Sequence, residues 1–198
     1  EVMFGLKKFI KIPFGINVLN NDYKVAFSIA KSAGASFIEL DVFVDKVRSD
    51  FQNNIAAIKT PFVINPKPIE IWKYAKSIGA EKIPLFCFVQ PKHYTMLEEG
   101  KTIENSTIQA IKEGASAVLV TKAIGFAPTI SLIKRVKSVA RGLPVGVGSG
   151  FNAENAKDIL PFVDFAVVGT SIKVGQETNN PVDQEKVFFK TKLIEILE

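Results

Sequence analysis

Two glycine-rich stretches carry the clearest chemical signal in this chain. Pro144-Val-Gly-Val-Gly-Ser-Gly150 and, further on, Val168-Gly-Thr-Ser171 each close a short apolar run. Glycine lets a backbone approach a tetrahedral anion, and successive N–H groups form a nest for it. Barrels built of strand–helix units hold phosphate in this way after their seventh and eighth strands. The candidate phosphate ligands are Gly148, Ser149, Gly150, Gly169, Thr170 and Ser171, with Lys173 complementing the charge. Either stretch alone reads equally well as a tight strand-to-helix turn. The succession of two favours phosphate.

A second signal is polar residues inside apolar runs. In Phe37-Ile-Glu-Leu-Asp-Val-Phe43, Glu39 and Asp41 share one face of a strand and Ile38, Leu40 and Val42 the other. Asn17, in Gly15-Ile-Asn-Val-Leu19, has the same character. A buried carboxylate is costly unless paired or used. Asp41 and Asn17 are therefore candidates for acid/base work and substrate positioning, with Glu39 behind them. A solvated edge strand would give the same pattern. A third signal is Gln90-Pro-Lys-His93, which ends a long apolar run and holds the only histidine. His93 would act as acid or base, and Lys92 as an electrostatic or imine-forming group. From spacing alone, a polar surface loop explains this stretch better. Lys122 ends another strand and faces either a ligand or water. Cys87 and Trp72 read as packing residues.

Strands are expected at residues 13–20, 36–43, 83–90, 116–121, 143–147 and 163–169, each rich in Val, Ile or Phe and bounded by Gly, Pro or Asn. Helices are expected between them at 22–33, 68–78, 102–113, 129–140 and 152–160, and a further helix leads into the first strand. This alternation, with strands apolar on both faces, predicts a parallel α/β sheet of the TIM (β/α)8 type. The first strand lacks the G-x-G-x-x-G turn of a dinucleotide fold. Six of eight units are recognisable, so either two units precede residue 1 or the sheet is open and a partner covers its edges. Residues 1–198 are taken as a single, partial barrel domain, with 44–67 as a lid or irregular insertion.

Composition narrows the classes further. The net charge is +5, spread along the chain, and only Arg48, Arg135 and Arg141 are arginines. That pattern argues against nucleic-acid recognition and is compatible with an anionic small-molecule ligand. One cysteine and one histidine allow no internal disulfide and no structural zinc site, and they fit a reducing, cytoplasmic compartment. No membrane span and no signal peptide are expected. Neither metal nor cofactor is called for, and a homo-oligomer would be one way to cover open sheet edges.

Together these stretches resemble the BtpA/SgcQ family, which is grouped with ribulose-phosphate-binding barrels. Gly15-Ile-Asn-Val-Leu-Asn-Asn-Asp22 is similar to its G-V-N-V-L-R-N-D strand end. The first glycine-rich stretch with Glu154-Asn155, and Val168-Gly-Thr-Ser-Ile-Lys173 with Asn180-Pro-Val-Asp183, resemble its later motifs. Lys92-His93 falls at its V-K-H strand end. The resemblance implies a barrel with a phosphate site, serving an enzyme of sugar-phosphate or nucleoside/nucleotide metabolism. Its other branch implies a non-catalytic factor for photosystem assembly or stability. Phe88 stands where the family has an acid, Lys122 replaces a glycine, Asn20 replaces an arginine, and residues 48–62 replace a D-Q-G segment. The phosphate end is thus intact, while the catalytic side is altered.

Overall fold

The computed structural model describes residues 2–49, 61–122 and 126–187. Its main sheet holds β1 (Gly15–Asn17), β2 (Phe37–Leu40), β5 (Leu85–Val89), β7 (Ala117–Val120), β8 (Val145–Val147) and β9 (Phe165–Ala166). Helices α1 (Val2–Lys7), α2 (Tyr23–Ala33), α3 (Pro68–Ser77), α4 (Ile103–Lys112), α5 (Ile130–Val139) and α6 (Ala156–Ile159) alternate with these strands. The neighbours in the sheet follow chain order, β1-β2-β5-β7-β8-β9, and every pairing is parallel. A doubly wound sheet reverses its strand order at a switch point. This one never does. It is the wall of a (β/α)8-type barrel, with six strands in place.

The alternation of each strand sorts its residues into two layers. Ile16, Ile38, Leu40, Leu85, Cys87, Val89, Val118, Val120 and Val145 join Ala26, Phe27, Ile71, Ala75, Ala110 and Val136 of the helices in one buried cluster. The opposite face carries Phe37, Phe86 and Phe165. Phe37 and Phe86 stack with centroids 4.6 Å apart, and Phe86 meets Phe165 at 5.6 Å. β7 and β8 lie between the strands of that second pair, so the rings touch only because the sheet curls. Glycine makes room for them: a Cβ on Gly146 would lie 2.3 Å from the Phe165 ring.

Local signals set the helix ends. Asp22 caps α2 by accepting the Val25 N–H, and Gly34 closes it in the left-handed conformation. Thr102 and Thr129 cap α4 and α5 in the same way. The expected helix at 152–160 shrinks to α6, because Asn152 Oδ1 accepts the N–H groups of Glu154 and Asn155 and holds them in a turn. The first strand also stops early. Asn20 and Asn21 take positive φ values of 64° and 63°, which ends the extended run.

Within residues 44–67 the structure places β3 (Val47–Ser49) and β4 (Val63–Ile64). They form a small antiparallel sheet with β6 (Tyr94–Met96), in the order β4-β3-β6. Residues 50–60 of the expected lid lie outside the described residues. Cys87 is fully buried, and burial raises the pKa of its thiol, as a packing residue requires. Trp72 packs on Phe27 and Phe43 and donates its indole N–H to the Glu113 carbonyl at 2.7 Å. Among the described residues no helix is long and apolar enough to cross a membrane.

Candidate functional site

Two adjoining clefts open where the strands end. The first, about 320 Å³, is lined by Gly148, Ser149 and Gly150 after β8, by Gly169, Thr170 and Ser171 after β9, and by Lys92. The second, about 240 Å³, is lined by Leu19, Asp41, Phe88, Pro91, His93 and Tyr94. Lys92 and Thr170 line both clefts, so the two form one mouth.

The first cleft is shaped by backbone, and its hydroxyls act as struts. Ser149 Oγ accepts the Lys122 N–H at 3.0 Å and donates to the Phe126 carbonyl at 3.1 Å, which ties the end of β8 to the end of β7. Ser171 Oγ donates to the Phe151 carbonyl at 3.1 Å and links the β9 end to the β8 end. Gly150 is needed on two counts. Its φ is +63°, and a Cβ there would sit 2.1 Å from the Ala127 nitrogen. The backbone N–H groups of Gly150, Phe151, Gly169 and Thr170 take part in none of the hydrogen bonds among the described residues. Donors of this kind along a cleft suit an oxyanion. Lys173 lines neither cleft; its ammonium donates to the carbonyl of Thr178, a residue at the edge of the second. The lysine that lines the first cleft is Lys92. Lys122 lends only its backbone.

The second cleft holds the candidate acid/base groups. Asn17 Nδ2 donates to Glu39 Oε1 at 3.0 Å and to Asp41 Oδ1 at 3.2 Å. Tyr94 Oη donates to Asp41 Oδ2 at 3.1 Å. Asn21 holds the strand end beneath: its amide nitrogen donates to the Val42 carbonyl at 2.7 Å and its oxygen accepts the Val42 N–H at 2.9 Å. Burial raises the pKa of Glu39; its bond from Asn17 opposes this and the charge of Asp41 adds to it. Burial lowers the pKa of Lys92, against the pull of Asp41. Burial and then Lys92 lower that of His93, again against Asp41. Burial and Asp41 together keep the Tyr94 phenol protonated well beyond its usual range. A neutral imidazole, a phenol bonded to a carboxylate and a partly desolvated amine thus face one small space. That set could exchange protons with a hydroxyl or carbonyl of a ligand. Among the described residues no group of three His, Cys, Asp or Glu could hold a metal ion.

Of the residues that the sequence singled out, Asp41, Lys92 and His93 share the second cleft, and Asn17 reaches it through its bond to Asp41. Tyr94 was missed. It follows His93 directly, and its own signal is only that of a strand aromatic. Thr121 was also missed: its Oγ1 accepts the Lys92 N–H at 3.1 Å and steadies the turn.

Known proteins match this chain as follows. An uncharacterized protein of Pyrococcus furiosus is 32% identical over 188 residues, which cover 92% of this chain and 64% of that protein. The photosystem I biogenesis protein BtpA of Synechocystis is 24% identical over 184 residues, covering 92% of this chain and 60% of that one. The chain therefore spans a little under two-thirds of these relatives. A Schiff-base-forming fructose-1,6-bisphosphate aldolase superposes with a TM-score of 0.48 at 14% identity, over 92% of this chain and 66% of that one. The profile of the BtpA family matches residues 2–196, and the chain belongs to that family.

Proposed function

We propose that the mouth binds a phosphorylated small molecule, a sugar phosphate or a nucleotide-like compound, with its phosphate in the first cleft and its body in the second. The observation that carries this reading is the glycine-walled cleft of about 320 Å³, whose lining combines two Gly/Ser/Thr strand ends with Lys92. Backbone donors and one cation are the ordinary means of holding a phosphate. Lys173, which the sequence offered as the charge complement, yields that place to Lys92. Asp41, His93, Lys92 and Asn17 would then act on the ligand's body, with Tyr94 beside them.

Titration calorimetry with inorganic phosphate, and then with a panel of phosphosugars and nucleoside monophosphates, tests the proposal. Saturable binding that phosphate competes away supports it. A panel with no binding at millimolar concentration refutes it.

A second reading has its own support. Phe88 lines the second cleft where the family carries an acid beside Lys92 and His93, and one relative is named for photosystem I biogenesis. On that reading the mouth senses a phosphorylated ligand, or serves assembly, without turning it over. Ligand binding with no product formed would favour it.

A further inference from the structure

We infer that Asp45 is a positioning residue for the turn that carries Lys92 and His93, and that the buried network around it exists to hold that turn in shape. The inference rests on the reading of the mouth as a binding site.

Asp45 is 1% exposed, lies just past β2, and lines neither cleft. Its carboxylate collects three donors: the Lys101 ammonium at 3.0 Å, Ser106 Oγ at 2.6 Å and the Gln90 N–H at 2.9 Å. Lys101 also donates to the Val44 carbonyl at 2.8 Å and to Glu98 at 3.0 Å. Its own carbonyl accepts the Gln90 side-chain amide at 2.9 Å. Gln90 is thereby gripped twice, once through its backbone and once through its side chain.

A buried ion pair is seldom the cheapest way to stabilise a fold, because apolar residues of similar volume often serve as well. This network therefore calls for another reason, and the backbone it grips supplies one. Gln90 has φ 48° and His93 has φ 69°. Non-glycine residues rarely take that conformation, and two of them flanking Pro91-Lys92 persist only where neighbours over-determine the turn. Asp45 fixes the first of the two. The Thr121 hydroxyl fixes the Lys92 N–H between them. The pairing of Tyr94 with Ser49 fixes the exit. Held at these points, Lys92 reaches both clefts and His93 lines the second.

The test uses Asp45→Ser, whose hydroxyl is too short to reach Gln90, and Asp45→Leu with Lys101→Met, which replaces the ion pair by apolar side chains. Asp45→Asn is the conservative variant, since its amide oxygen still accepts the Gln90 N–H. His93 is the only histidine, so its imidazole resonances report on the turn without overlap and without ligand. In the folded Ser or Leu/Met variant, those resonances should shift and broaden, and the dissociation constant for inorganic phosphate should rise at least about tenfold. In Asp45→Asn both readouts should stay near the wild type. A folded Ser or Leu/Met variant with unaltered His93 resonances and unaltered phosphate affinity overturns the inference. So does an Asn variant impaired as much as the Ser variant. Loss of folding in all three also overturns it, because the network would then hold the fold and not the turn. If the wild type binds no phosphate, the reading of the mouth fails. The His93 readout still decides whether Asp45 positions the turn.

Discussion

Gly150→Ala separates two effects that glycine usually merges. The first is conformational: Gly150 has φ +63°, and placing an alanine in that region costs about 1–2 kcal/mol. The second is a close approach. The new Cβ would lie 2.1 Å from the Ala127 nitrogen and 2.2 Å from the Phe126 carbonyl carbon. Both are backbone atoms, so no rotamer change relieves the contact. Moving them disturbs the Ser149 bonds to Lys122 and Phe126, each worth about 1 kcal/mol. The sum is a loss of about 3–4 kcal/mol. Gly142→Ala is the control: its φ is +87°, and nothing lies within 4 Å of the added Cβ. It should lose only the conformational part, about 1–2 kcal/mol. Equilibrium urea denaturation of both variants, followed by Trp72 fluorescence, measures the difference, which should exceed about 1 kcal/mol with the slope unchanged. Equal losses would refute the claim that the end of β8 is packed against residues 126–127.

Lys92→Met should weaken inorganic phosphate binding by about 10- to 150-fold, the range for losing one charge-assisted hydrogen bond of about 1.5–3 kcal/mol. Calorimetry at two salt concentrations would also find a smaller salt dependence. Because burial lowers the pKa of Lys92, its charge is a burden to the fold, and the variant should be at least as stable as wild type at neutral pH. Unaltered phosphate affinity would remove Lys92 from the anion site. Glu39→Gln tests the acidic side. The raised pKa of Glu39 means that its ionised form is disfavoured in the folded state. Below its ordinary value of about 4.5 the carboxyl is protonated folded or unfolded, and it contributes nothing to the pH dependence. As pH rises past that value the unfolded chain ionises first, so the wild type loses stability until its folded pKa is passed. Glutamine keeps an acceptor for Asn17 and does not ionise. The variant should therefore gain on wild type as pH rises from 4 to 7 in denaturant titrations, and a constant difference across that range would contradict the placement of Glu39.

The sequence made the barrel legible because its signals are local. Apolar runs bounded by Gly and Pro mark the strands, and Asp22, Thr102 and Thr129 cap helices where a reader would look for caps. It also predicted Asn152 as a helix start. The residue does bind backbone N–H groups there, but it does so in a turn ahead of α6. The signal was real and its geometry ambiguous, because an Asx turn and an N-cap use the same atoms.

The site divided along the same line. The glycine-rich strand ends stand out because backbone approach demands a residue type that can be read directly. Asp41, Lys92 and His93 stand out as polar residues at apolar strand ends. Tyr94 and Asp45 did not, because their roles come from pairings far apart in the chain. Tyr94 meets Asp41 across 53 positions, delivered by the short sheet that β6 makes with β3. Asp45 meets Lys101 and Ser106 only when α4, packed on β5, brings its first turn beside the chain that follows β2. In the sequence it sits at the charged start of 44–67, the stretch that reads as a lid or irregular insertion. Lys173 shows the opposite case: next to a glycine-rich motif it looks like a phosphate ligand, yet its ammonium bonds the Thr178 carbonyl and the residue lines neither cleft. A cation's type and spacing bring it near an anion site. Only the turn that carries it decides whether it lines the cleft, and on the proposed reading the charge that Lys92 brings to the mouth then depends on how the 90–93 turn is held.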